Sequence, residues 1–197
     1  MFPMRLGEPI GSRRRWQVGT LAMFAAWQDD AAVTHFLEST ALGNTLARGW
    51  HVRLGFLRRW GTVAGFEDLP LAAQPTALDS PVVVLTLARL RLLQTQRFLH
   101  WGLPVERQVR DAPGTTLALA ATRPLRTIAT FTVWQTAKHM LDMVHGSPSS
   151  GQSPHQAGMQ ERARRDFHHE FTTLRFTCLS EFGTWEGQSR IVPPKIP

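Results

Sequence analysis

The feature that most constrains this chain is that it nearly repeats itself. Phe24-Ala25-Ala26-Trp27-Gln28 returns as Phe131-Thr132-Val133-Trp134-Gln135, 107 positions later. Further on, Arg53, Leu57, Gly61, Thr62 and Gly65 return in the same order as Arg175, Leu179, Gly183, Thr184 and Gly187, each 122 positions later. The second copy has an evident place for the extra residues, the Gly-, Ser- and Pro-rich stretch 146–154. A duplicated unit with one loop insertion accounts for both offsets.

Each copy reads as strand, Trp, helix, strand and a Gly-Thr-x-x-Gly turn. Alternating and β-branched runs predict strands over 18–25, 50–57, 82–88, 116–121, 127–133 and 170–178. Trp134, Ala137, Leu141 and Val144 fall on one face at helical spacing, which predicts a helix packed on a sheet. Ser153-Pro154 supplies an N-cap and first-turn proline for another helix, running to about Asp166.

Residues 81–190 then give strand, helix, strand, strand, helix, strand, the ferredoxin-like order. Residues 16–69 supply only the last half of such a unit, 70–80 is a linker marked by Pro70 and Pro75, and 191–197 is a flexible tail. The expected fold is α+β, a duplicated ferredoxin-like architecture whose first copy is incomplete. A mis-assigned start and a partner completing the sheet both remain open for the missing half.

Composition removes several function classes. Twenty of the 22 basic residues are arginine, and against 15 acids they leave a net charge of +7. Their scatter from Arg5 to Arg190 gives no nucleic-acid footprint, so no nucleic-acid partner is expected. The one cluster, Arg13-Arg14-Arg15, reads as a solvated lead into the first strand, with phosphate or propionate contact as the sharper alternative. A single cysteine, Cys178, excludes an internal disulfide framework and a Cys-based zinc knuckle. The N-terminal Met-Phe-Pro-Met-Arg lacks a secretory core, and no apolar run approaches the roughly 20 residues of a membrane-spanning helix. A cytoplasmic protein is expected, with peripheral membrane association as the variant.

None of the eight histidines has the spacing that places two metal ligands on one helix face. Gly-x-Ser-x-Gly, Walker A and Gly-x-Gly-x-x-Gly motifs are absent, which removes the entry points for esterase, NTPase and Rossmann readings. His155 stands in the first turn after the Ser-Pro cap, and the matching stretch of the first copy, 39–44, has no histidine. A departure from a repeat is where function can be added, and a neutral imidazole there could ligate iron; the plain alternative is a surface histidine near a loop. His145, His168 and His169 are the other candidate ligands. Arg126, Arg165 and Arg175 are candidates to pair with ligand carboxylates, and Trp27 and Trp134 read as core.

Gly114-Thr-Thr-Leu-Ala-Leu-Ala-Ala121, Trp134, the block Glu161-Arg-Ala-Arg-Arg-Asp-Phe-His-His-Glu-Phe-Thr-Thr-Leu-Arg-Phe176 and Ser180-Glu-Phe-Gly-Thr-Trp-Glu-Gly187 together resemble the spheroidene monooxygenase family of carotenoid ketolases. The resemblance extends over roughly residues 16–190. It implies a haem-containing monooxygenase that oxidises an apolar polyene with O2 and an external electron donor such as a ferredoxin. It also implies a dimeric α/β-barrel type of ferredoxin-like fold, hence a homo-oligomer. His155 best matches the family's expected iron ligand, with Arg126 or Arg175 holding a propionate. The family's further N-terminal strand, helix and strand is not matched in this sequence.

Two other functions compete with that expectation. A non-catalytic module could retain the fold and bind an apolar ligand or a partner without cofactor. A cofactor-free oxygenase would need an aromatic or enolic substrate and a base such as His139 or His169.

Overall fold

The run Val82-Val83-Val84-Leu85 has no polar alternation, which suits a strand covered on both faces. In the computed structural model it opens the strand at the centre of the molecule. The structure describes residues 1–123, 127–146 and 151–194. Its elements are β1 (Phe2–Arg5), α1 (Asp30–Ser39), α2 (Ala41–Ala47), β2 (His51–Thr62), β3 (Val82–Leu90), α3 (Thr95–Asp111), β4 (Thr115–Arg123), β5 (Thr127–Trp134), α4 (Ala137–His145), α5 (Pro154–Arg164) and β6 (His168–Phe182). All six strands form one antiparallel sheet in the order β1-β4-β5-β3-β6-β2.

Residues 82–182 therefore run strand, helix, strand, strand, two helices, strand, with β3 and β5 paired at the centre. The two helices at its second crossover start where their caps dictate. Thr136 accepts from the His139 N–H at the head of α4, and Ser153 and Gln156 form a reciprocal capping box at the head of α5, with Pro154 in the first turn. Asp29 caps α1 in the way Thr136 caps α4, accepting from the Ala32 N–H.

The two faces of the sheet are covered differently. On one, Val82, Val84, Leu57 and Trp134 pack against Ala137 and Met140 of α4, with Val109 of α3 beside them. On the other, Val83, Leu85, Leu87, Val133, Leu174 and Phe176 are covered by chain outside any helix, including Met1, Phe24, Phe66, Leu69 and Val192. The alternation of β3 and β5 explains the division, because successive side chains point to opposite faces.

Three expectations are corrected. Residues 18–25 form no strand; they run as irregular chain, and Phe24 lies against the non-helical face. A strand forms instead further upstream, β1, which pairs with β4 and to which the sequence reading assigned no element. Trp27, read as core, is 40% exposed and rests on Phe36, whereas Trp134 is 1% exposed and ends β5 rather than beginning the helix. Arg15 is not solvated. It is 3% exposed, and its two terminal nitrogens grip the Glu106 carboxylate of α3 at 2.8 Å each. The linker also takes part in the sheet's edge, since Leu71 and Ala73 hydrogen-bond the backbone of β2.

The β2–β6 ladder has a regularity of its own. Arg53 pairs with Ser180 and Arg58 with Arg175, His51 with Phe182 and Trp60 with Thr173, while Gly55 faces Thr177 at the middle. Its two irregularities skip Leu179 on β6 and Leu57 on β2, the two leucines of the sequence repeat.

Candidate functional site

His155 is held by three helices. Its backbone N–H donates to Gln108 Oε1 of α3 at 2.8 Å, and the carbonyl of Val144, near the end of α4, acts to hold its pKa up. Burial pushes its pKa below the usual histidine value, with the neighbouring His145 acting in the same direction. The ring is therefore neutral at pH 7. A neutral imidazole keeps a lone pair on one of its two nitrogens, which is what a metal-ligating histidine needs. On α5, His155, Met159 and Arg162 fall on one side of the helix by spacing, and Arg162 stacks over the Phe171 ring of β6 at 3.9 Å.

Arg175 lies on the helix-covered side of β6. Its guanidinium sits 4.3 Å from the centre of the Trp60 ring, and Arg58 sits 4.4 Å from the same ring. Among the described residues neither arginine has an acidic partner, and the buried Arg175 Nε has no hydrogen-bond acceptor. Burial lowers the Arg175 pKa and the adjacent Arg58 lowers it further. Two like charges on one indole, one of them half-buried, leave an unmet demand for an anion. Sequence reasoning picked out Arg175 and missed Arg58 and Trp60. The signal was present: residues two apart on a strand share a face.

The remaining candidates are placed as follows. Arg126 lies outside the described residues. Arg165 is exposed and lines a shallow cleft with His169, Leu92, Leu93 and Asp166. His145 is exposed at the end of α4. His139 is tied to the helix cap, its Nδ1 2.9 Å from Thr136 Oγ1. Among the described residues no group of three or more His, Cys, Asp or Glu side chains is placed to hold a bare metal ion.

His168 is 5% exposed inside a cage of Phe98, Phe167 and Phe171. Desolvation and the nearby Arg162 push its pKa down to about 4, against a smaller opposing pull from Asp166. In the unfolded chain the same histidine protonates near 6.5. Lowering the pH from 6.5 to about 4 thus charges the unfolded state first, and stability falls across that window by about 3 kcal/mol. In His168→Leu the denaturant midpoint should lose most of this pH dependence; an equally steep fall would reject the assignment.

No helix among the described residues is long and apolar enough to cross a membrane. No protein-family model matches the chain. It is 28% identical to spheroidene monooxygenase of Rubrivivax gelatinosus over a 200-residue alignment that covers 93% of this chain and 75% of the relative. A solved structure of a proposed monooxygenase from Fusobacterium nucleatum aligns with 67% of this chain at a TM-score of 0.46 and 10% identity. This chain spans about half (52%) of that one.

Proposed function

We propose that this chain, a monooxygenase related to the spheroidene enzyme, works with haem on an apolar substrate, His155 supplying the axial ligand and Arg175 a contact to a propionate. The observation that carries the reading is the place of His155, in the first turn of α5, with its backbone N–H fixed by Gln108 of α3 and its ring kept neutral by burial. We further propose that residues 82–182 are a ferredoxin-like unit and that residues preceding β3 are the remnant of a second copy. The repeat offsets and the matched caps of α1 and α4 support that.

A bound haem would supply O2 activation, taking electrons from a donor protein such as a ferredoxin. The chain's own part is to orient and to exclude. Gln108 fixes where the first turn of α5, and with it His155, stands. Arg175 and Arg58 would neutralise an anionic arm. The apolar side chains between helices and sheet, including Met140 and Val84, keep water away. A polyene-like substrate, association as a homo-oligomer and peripheral contact with a membrane belong to the same proposal.

The test is a hemin titration of the purified chain. Wild type should develop a Soret band with a histidine-ligated low-temperature spin-resonance signal, and His155→Ala should lose that signal even where some hemin is retained. An unchanged spectrum in His155→Ala would reject His155, and the same substitution at His145 or His169 then reports on its replacement.

A further inference from the structure

We infer that an internal two-fold axis through the Gly55–Thr177 pair relates β2 to β6, and that replacement of an acid on the second side leaves Arg175, Trp60 and Arg58 as a binding site for the carboxylate of an apolar ligand. The inference deepens the reading above by naming the chemistry the site takes.

The axis rests on three features of the ladder. Antiparallel pairing places the axis, the 122-position offset carrying each pair from His51–Phe182 to Trp60–Thr173 onto a pair of the same ladder and Gly55–Thr177 onto itself, and details that such pairing does not require then follow it. Both bulges obey it, Leu57 mapping onto Leu179. So do two glycines at opposite ends. A Cβ on Gly61 would meet the carbonyl of Phe171 and the Cα of Thr172, and one on Gly183 would meet the carbonyl of Gly49 and the Cα of Trp50, the mapped atoms. Both glycines have positive φ, +76° and +73°. Finally, Arg175 over Trp60 maps onto Arg53 over Phe182.

The two arginines share a buried Nε without an acceptor and differ in what meets their terminal nitrogens. Arg53 donates to Thr34 Oγ1 at 3.2 Å and lies 3.6 Å from the Asp30 carboxylate, both on α1. The helix equivalent to α1 is α4, and the residues at the matching positions, 107 further on, are Ala137 and Leu141. An acid and a hydroxyl have become two apolar side chains. Arg175 therefore keeps its place and its aromatic platform but has no partner among the described residues, and Arg58 adds a second positive charge where the first side has Ser180.

A fork-shaped cation beside apolar packing suits a carboxylate on a hydrophobic body better than a freely soluble anion. Two sources share that chemistry, a haem propionate and a substrate carboxylate.

The experiment titrates the full chain by absorbance with hemin against hemin dimethyl ester, and with retinoate against retinol. Wild type should prefer the carboxylate member of at least one pair by tenfold or more. Arg175→Gln and the exposed Arg58→Gln should each erase most of that preference while leaving the neutral member's binding unchanged. Preference confined to the hemin pair assigns the site to a propionate; preference in the retinoid pair without haem assigns it to substrate. No preference in either pair, or one that survives Arg175→Gln, overturns the proposal. The His155→Ala spectrum fails separately: ester discrimination with an unaltered spectrum would remove the axial ligand and leave the anion site standing.

Discussion

Trp134→Ala should destabilise the protein by about 3–5 kcal/mol, the range for removing a fully buried aromatic side chain. Its indole is 1% exposed, packs with Val82, Val84, Ala137 and Met140, and donates from Nε1 to Thr132 Oγ1 at 2.8 Å. Truncation leaves a cavity at the junction of the β5 end with α4, and it leaves the Thr132 hydroxyl without its donor. Both consequences act in the same direction. The repeat-related Trp27 provides the control. It is 40% exposed against Phe36, so Trp27→Ala should cost about 1 kcal/mol. Denaturant midpoints of the two variants should differ by more than twofold in their shift from wild type; equal shifts would mean the burial of Trp134 is wrong.

Glu106→Ala should cost about as much by a different route. The Arg15–Glu106 pair is two-pronged, its arginine is 3% exposed, and Glu106 Oε2 also accepts from the Gly7 N–H at 3.0 Å. Removing the carboxylate strands a guanidinium away from water, a loss of about 3–5 kcal/mol. Replacing both partners at once, Arg15→Met with Glu106→Leu, should restore most of it, because no charge is then left alone. A double variant as unstable as the single one would show that the lost packing, and not the orphaned charge, sets the cost. High salt should rescue neither variant, since buried charges are screened little.

The contrast between these residues also explains what the sequence could convey. The central unit was legible because its signals are local. An uninterrupted apolar run marks β3, and the Ser153-Pro154 pair marks the head of α5. Residues 18–25 have the pattern of a strand but pair only at one point, Ala22 with Met1, while Phe24 is drawn against the sheet face instead of into its edge. Strand formation depends on a partner that no window of residues contains. Arg15 was illegible for the same reason, its partner lying 91 positions away.

At the candidate site the divide is similar. His155 could be singled out because it interrupts a repeat at the head of a helix. That burial keeps its ring neutral and Gln108 holds its backbone required the fold. Arg175 carried a hint in its repeat partner Arg53, but the meaning of the pair lay in Asp30 and Ala137, residues whose equivalence becomes readable only when the helices above them are matched.

The uneven cover of the sheet has a consequence for how the chain assembles. The helix-bearing side closes through crossovers between strands adjacent in sequence, such as α3 from β3 to β4. The opposite side is sealed by Met1, Ala22, Phe24, Phe66, Leu69 and Val192, with the Met1 ammonium bound to the Ala22 carbonyl and Arg59 holding the carbonyls of Gly61, Glu67 and Leu69. Gathering segments that distant carries the entropy of closing long loops before any contact rewards it. The order of events is thereby built in: the helical side can form as soon as its own crossovers do, while the other stays wet until residues 1 and 192 have both arrived.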